Sequence, residues 1–229
     1  MGRAMTALSL RTWIRYVVPF TLLSLLAYAP LILVANRLSA PASVDQARTL
    51  ALITWILGGV AISLALGIVG AVAPTVRAVD AGSPPAQHAA LFAGLRGLVA
   101  SIVPVGAAIF ALLLGLGALV VPGIVLAPLV ALTGASTELG LGERLADAAT
   151  VGRAHWRTIA IVLVAMILIG AGVLAAVEHM AHLPLSKKAP AAMIAGTQRF
   201  PRIAIPLLAI LAPIAATFLA AIHTVARRR

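Results

Sequence analysis

The run VLVAMILIGAGVLAAV, from Val162 to Val177, holds no charged side chain. A membrane β-strand alternates apolar and polar residues over about ten positions, and no such alternation occurs here. Taken from residue 158, the run reaches about the 20 residues that an α-helix needs to cross a hydrocarbon layer of roughly 30 Å. Of the 229 residues, 62% are hydrophobic and 10% charged, with a mean hydropathy of +1.10. One soluble core cannot bury that much apolar surface. The sequence predicts an all-α protein, a polytopic transmembrane helical bundle.

On either side of this run the same reading gives six spans in a single membrane domain covering 1–229. They fall at about 16–36, 49–73, 97–118, 120–136, 158–177 and 203–225. No charge interrupts the chain from Gly97 to Thr133, which is long for one span and short for two. Pro122 and Gly123 supply the break, because proline lacks a donor and glycine permits a reversal; a hairpin is favoured over one kinked helix. Pro104 and Pro128 are expected to bend its two arms. Arg3, Arg11 and Arg15 ahead of the apolar run from Val17 to Val34 resemble the start of a secretory signal. The run is longer than a signal core, and Pro41 follows the small pair Ser39-Ala40, so the segment is read as the first span.

The chain carries 17 Lys and Arg against six Asp and Glu, a net charge of +11, and no cysteine. Basic residues flank the apolar runs, so lipid bilayer and anionic headgroups are the expected partners and nucleic acid is not. Disulfide and thiolate chemistry are excluded. With a cytoplasmic N-terminus, eleven of the 17 fall on the inner side (Arg3, Arg11, Arg15, Arg77, Arg96, Arg144, Arg153, Arg157 and Arg227 to Arg229) and six on the outer. That asymmetry predicts both termini inside. Lys187, Lys188, Arg199 and Arg202 of the loop after Glu178 run against it.

GERLADAATVGRAHWR, 142–157, is a charged island before the fifth span. At 100° per residue, Leu145, Ala149, Gly152 and Trp156 share one side, while Glu143, Asp147, Thr150, Arg153 and Arg157 share the other. The pattern predicts a short amphipathic helix on the cytoplasmic face between spans four and five. Trp156 sits at the headgroup depth that indole rings prefer. Such a helix serves as an interfacial connector or as a docking surface for a membrane or cytoplasmic protein. The docking reading rests on Glu138, Asp147, Arg153, Trp156 and Arg157.

The order of features from Leu119 to Arg157, LVVPGIVLAPLVALTGASTELGLGERLADAATVGRAHWR, resembles the glycerophosphodiester phosphodiesterase membrane-domain and YciC-like group of bacterial integral membrane proteins. Pro122, Gly123, Ile124, Glu138, Leu145, Trp156 and Arg157 stand at the positions of that pattern. Ala148 replaces its usual serine, and Asp147 a commonly basic residue. The resemblance covers about a quarter of the chain. It implies a six-span bundle in the bacterial inner membrane with no chemistry of its own, since phosphodiesterase activity belongs to a separate soluble domain in the fused proteins. A second resemblance joins Asp147–Trp156 to the short cytoplasmic helix by which ABC importer permeases dock on an ATPase. It is one residue short and lacks the later Leu-Pro. The chain has no GxxxxGKS segment, so ATP use would need a partner.

Candidate catalytic groups are few. Glu178, His179 and His182 set two imidazoles one turn apart beside a carboxylate, an incomplete metal set in the wrong order for a zinc protease, and are read as helix-end anchors. His223 near Arg227 is placed at the interface, although an ionisable residue inside a membrane is a functional candidate. Glu138 is expected to pin the short helix to the bundle through Arg144 or Arg153. Small residues recur every four positions at Gly59, Ser63, Gly67 and Ala71, and at Ala107, Ala111 and Gly115, which permits close helix packing. No catalytic residue, cofactor or metal is assigned. The expected function is non-enzymatic, a scaffold or envelope-maintenance role; the alternative is the permease subunit of a transporter.

Overall fold

The computed structural model describes residues 2–38, 44–118, 131–180 and 190–228. No strand occurs among the described residues, which include the helices α1 Gly2–Arg15, α2 Val17–Arg37, α3 Val44–Asp80, α4 Gln87–Ala118, α5 Leu141–Met180 and α6 Pro190–Ala226, with residues 131–133 helical as well. Among them, Val17–Arg37, Gln87–Ala107 and Pro201–Ala226 are long and apolar enough to cross a membrane. The expected Pro122-Gly123 hairpin lies outside the described residues, as do Pro128, Lys187 and Lys188 and most of the span at 120–136.

Helix α6 is the centre of the bundle and packs against α1, α2, α3 and α5. Its composition explains this position. Ala209, Ala212, Ala215, Ala216, Ala220 and Ala221 are all buried, and so short a side chain lets neighbours approach from every direction. Larger residues from the surrounding helices, among them Tyr16, Phe20, Leu23, Tyr28, Ile68 and Ile159, fill the remaining volume. Helices α3 and α4 meet backbone to backbone: a Cβ on Gly97 would overlap the carbonyl oxygen of Gly70, and one on Gly70 would overlap the Ser101 hydroxyl. The chain reverses between α3 and α4 at Gly82, whose φ of 78° favours glycine, with Ser83 N–H closing on Ala78 O at 2.9 Å.

Prolines inside the helices leave a carbonyl four residues earlier without its donor. At three of the prolines a side chain of another element supplies a donor in its place. Pro213 frees Ala209 O, and Ser24 Oγ of α2 donates to it at 2.5 Å. Pro104 frees Ala100 O, which accepts from Arg144 Nη1 at 2.7 Å. Pro19 frees Arg15 O at the break between α1 and α2, and Gln87 Nε2 donates to it at 2.6 Å. Pro74 frees Gly70 O, the oxygen on which Gly97 rests. At Pro213, Pro104 and Pro19 the freed carbonyl is thereby fastened to another helix.

Helix α5 consists of two helical segments that meet at His155, whose backbone is not helical (φ −126°, ψ 21°), two residues before the boundary expected between 142–157 and 158–177. One element differs from the sequence expectation. Residues 2–15, read only as a basic flank, form α1, which turns Met5, Ser9, Thr12 and the following Tyr16 inward as one stripe. Tyr16 ties this element down by donating to Pro85 O at 2.6 Å.

An apolar groove of about 300 Å³ runs between α5 and α6, with Tyr28, Ala65, Val162, Ile169, Leu208 and Phe218 among its lining residues. The described lining residues carry no charged side chain.

Candidate functional site

One end of the bundle gathers the C-terminal ends of α3 and α6, the turn at 134–140 and the first turns of α5. At the other end Arg202 donates to Ala35 O, Asn36 O and Leu38 O at 3.3, 3.1 and 2.6 Å and fastens α6 to the end of α2.

The turn at 134–140 has no ladder to satisfy its carbonyls, so arginines do so from two sides. Arg77 Nη1 of α3 donates to Ala135 O at 2.8 Å. Arg144 of α5 is buried and spends three donors, on Leu139 O at 2.6 Å, Thr137 O at 2.6 Å and Ala100 O at 2.7 Å. Arg144 is therefore a staple between α4, the turn and α5. Glu138 pairs with Arg77, and neither Arg144 nor Arg153 takes the role expected for it. Burial lowers the pKa of Arg77, and the Glu138 carboxylate opposes that shift.

Asp147 is the hub of the site. Its carboxylate, 16% exposed, accepts from the Ser136 hydroxyl, from His223 Nε2 at 2.7 Å and from Arg227 Nε at 3.1 Å. Burial works to raise its pKa; the hydrogen bonds from Ser136 and His223, the His223 charge and the Arg227 hydrogen bond outweigh this and hold the carboxyl below its ordinary range. His223 is 1% exposed, fully inside the protein. It sits one turn before Arg227 on α6, and the two side chains converge on the same carboxylate. Arg228 pairs with Asp80 at the end of α3.

Serine, histidine and aspartate in contact invite comparison with a nucleophilic triad, and the geometry argues against it. A relay needs the carboxylate on one ring nitrogen and the hydroxyl on the other. Here Asp147 and Ser136 both lie against Nε2, at 2.7 and 3.1 Å. Asp147 accepts, so Nε2 carries the proton and has no lone pair with which to take one from Ser136. The Ser136 hydroxyl is itself turned to the carboxylate. The arrangement is a lock that ties α5 and the turn to α6.

The five residues of the docking reading divide. Arg153, before the break at His155, and Trp156 and Arg157, after it, are exposed, with the Arg157 guanidinium 5.6 Å from the centre of the Trp156 ring. Asp147 faces the bundle and Glu138, 58% exposed in its side chain, is engaged with Arg77. The buried stripe of this segment is Arg144, Ala148, Val151 and Gly152, whereas Leu145 and Trp156 are exposed at 39% and 55%. Sequence reasoning missed Ser136 and Arg77; the one signal at hand was the four-residue spacing of His223 and Arg227, which puts both on one face of a helix. No group of three metal-ligating side chains occurs among the described residues, and the side chains of Glu178, His179 and His182 lie outside them.

The described residues form helices and turns, three of the helices are long and apolar enough to cross a membrane, and a polar lock ties the elements together at one end. Comparison with known protein families, with curated proteins and with solved structures gives no match.

Proposed function

We propose that this chain is a non-enzymatic protein of the bacterial inner membrane, with about six spans, cytoplasmic termini and a scaffold or envelope-maintenance role. In this reading a membrane or cytoplasmic protein docks on the polar end, and the resemblance to the YciC-like group supports the assignment. One observation carries it. At the polar end Asp80, Glu138 and Asp147 are each held by an arginine of the same chain, and Glu143 accepts from the Gly140 N–H, while Arg153, Trp156 and Arg157 point outward. Carboxylates are neutralised internally and a basic, aromatic surface is left free, which suits an acidic partner. The excess of arginine at this end supports its cytoplasmic placement.

The test is purification from native membranes in mild detergent, comparing the unaltered protein with Arg153→Glu/Arg157→Glu. A protein that co-purifies stoichiometrically and is lost on charge reversal, while membrane insertion is unchanged, is the expected result. The same set of co-purifying proteins from both, or none from either, would reject docking on α5. Co-purification of an ATPase would favour the permease alternative.

A further inference from the structure

We infer that α1 is a binding surface for anionic phospholipids, separate from the α5 surface. The helix GRAMTALSLRTWIR contains three arginines and no acid. Its inward stripe of Met5, Ser9 and Thr12 packs on the bundle. At 100° per residue, Arg3, Leu10 and Ile14 fall on the opposite side, with Arg11 and Arg15 along its edge one helical turn apart. All five are exposed, Leu10 and Ile14 at 45% and 65%. This face joins large apolar side chains to guanidinium groups, a combination that water does not favour.

Chain continuity selects the occupant. Only Tyr16 separates α1 from α2, which is one of the helices able to cross a membrane, and Val17 and Val18 continue the exposed apolar surface at 37% and 64%. The C-terminal end of α1 is therefore at the level where a bilayer begins. The Gln87 and Tyr16 hydrogen bonds, to Arg15 O and Pro85 O, and the packing of α1 on α6 keep it there. A surface at that level meets acyl chains on one side and headgroups on the other. Leu10 and Ile14 suit the first, and the arginines suit negatively charged phosphodiesters in the second. Arg11 and Arg15, a turn apart, can bracket a single phosphate group. An acidic protein would satisfy the arginines and leave Leu10, Ile14 and Val18 without an apolar counterpart.

The experiment uses the full chain in bilayer nanodiscs made from equal parts phosphatidylglycerol and phosphatidylcholine, with bromine on the acyl chains of one lipid at a time. Trp55→Phe/Trp156→Phe leaves Trp13 of α1 as the sole fluorophore. Quenching of Trp13 by the brominated anionic lipid is expected to exceed that by the brominated zwitterionic lipid about twofold or more. The excess should vanish with Arg3→Gln/Arg11→Gln/Arg15→Gln, and salt should reduce it in the chain that keeps its arginines. A reporter at the opposite end, Leu33→Trp with all three native tryptophans replaced by Phe, should be quenched equally by both lipids. Equal quenching at Trp13, or an excess that survives removal of the arginines, would overturn the inference. The salt titration decides the matter if the triple variant fails to insert.

Discussion

Removing the Asp147 carboxylate tests the lock directly. In Asp147→Ala the Ser136 hydroxyl and the His223 Nε2–H, both on fully buried residues, lose their common acceptor; Ser136 Oγ lies 3.1 Å from Nε2 and can accept from it, so one donor, the Ser136 hydroxyl, is stranded. A stranded buried donor costs about 1–3 kcal/mol. The Arg227 contact, with that side chain 37% exposed, adds at most about 1 kcal/mol. A loss of about 1–4 kcal/mol follows. Asp147→Asn keeps an oxygen for His223 and removes the charge, and should cost about 1–2 kcal/mol. Unfolding of the purified protein in mixed micelles titrated with a denaturing detergent gives these differences, and a double-mutant cycle with His223→Gln isolates the pair. A coupling energy of about 1–3 kcal/mol is expected. The pH dependence has a definite sign. The carboxyl of Asp147 is held below its unfolded value, so its contribution is complete above the ordinary carboxylate range and is lost as pH falls through the lower, folded value. Asp147→Asn should therefore flatten the acid limb of the stability profile and leave its neutral limb parallel to that of the unaltered protein. A loss below about 1 kcal/mol for Asp147→Ala, or strict additivity with His223→Gln, would refute the reasoning.

The proline contacts give two further tests. Ser24→Ala should cost about 1 kcal/mol by stranding Ala209 O, and Pro213→Ala, which restores the helical donor to that oxygen, should make Ser24→Ala nearly neutral; the same detergent titration of the four variants reads the coupling. Gly97→Val places a side chain against the Gly70 carbonyl and should destabilise by about 3 kcal/mol or more, whereas Gly106→Ala, where a Cβ meets nothing, should change little; thermal denaturation in detergent separates them.

Run length and the absence of alternation identified helices of membrane-crossing composition, because a bilayer constrains length and polarity residue by residue without reference to other helices. The arginine distribution likewise marked the polar end. The pairing of side chains was decided only by tertiary structure. A helical wheel gives relative directions along α5 and cannot say which side faces the protein. In a soluble protein the larger apolar residues, Leu145 and Trp156, would have turned inward. Here close packing places the small residues Ala148 and Gly152 against the bundle and leaves Leu145 and Trp156 exposed. That rotation brings Asp147 and Arg144 against the bundle and joins Asp147 to His223 and Arg227, far away in sequence. Glu138 finds Arg77 for the same reason: the end of α3 lies beside the turn only because Gly70 and Gly97 let α3 and α4 close on each other and on Gly134. These contacts depend on packing between segments that carry no local trace of one another.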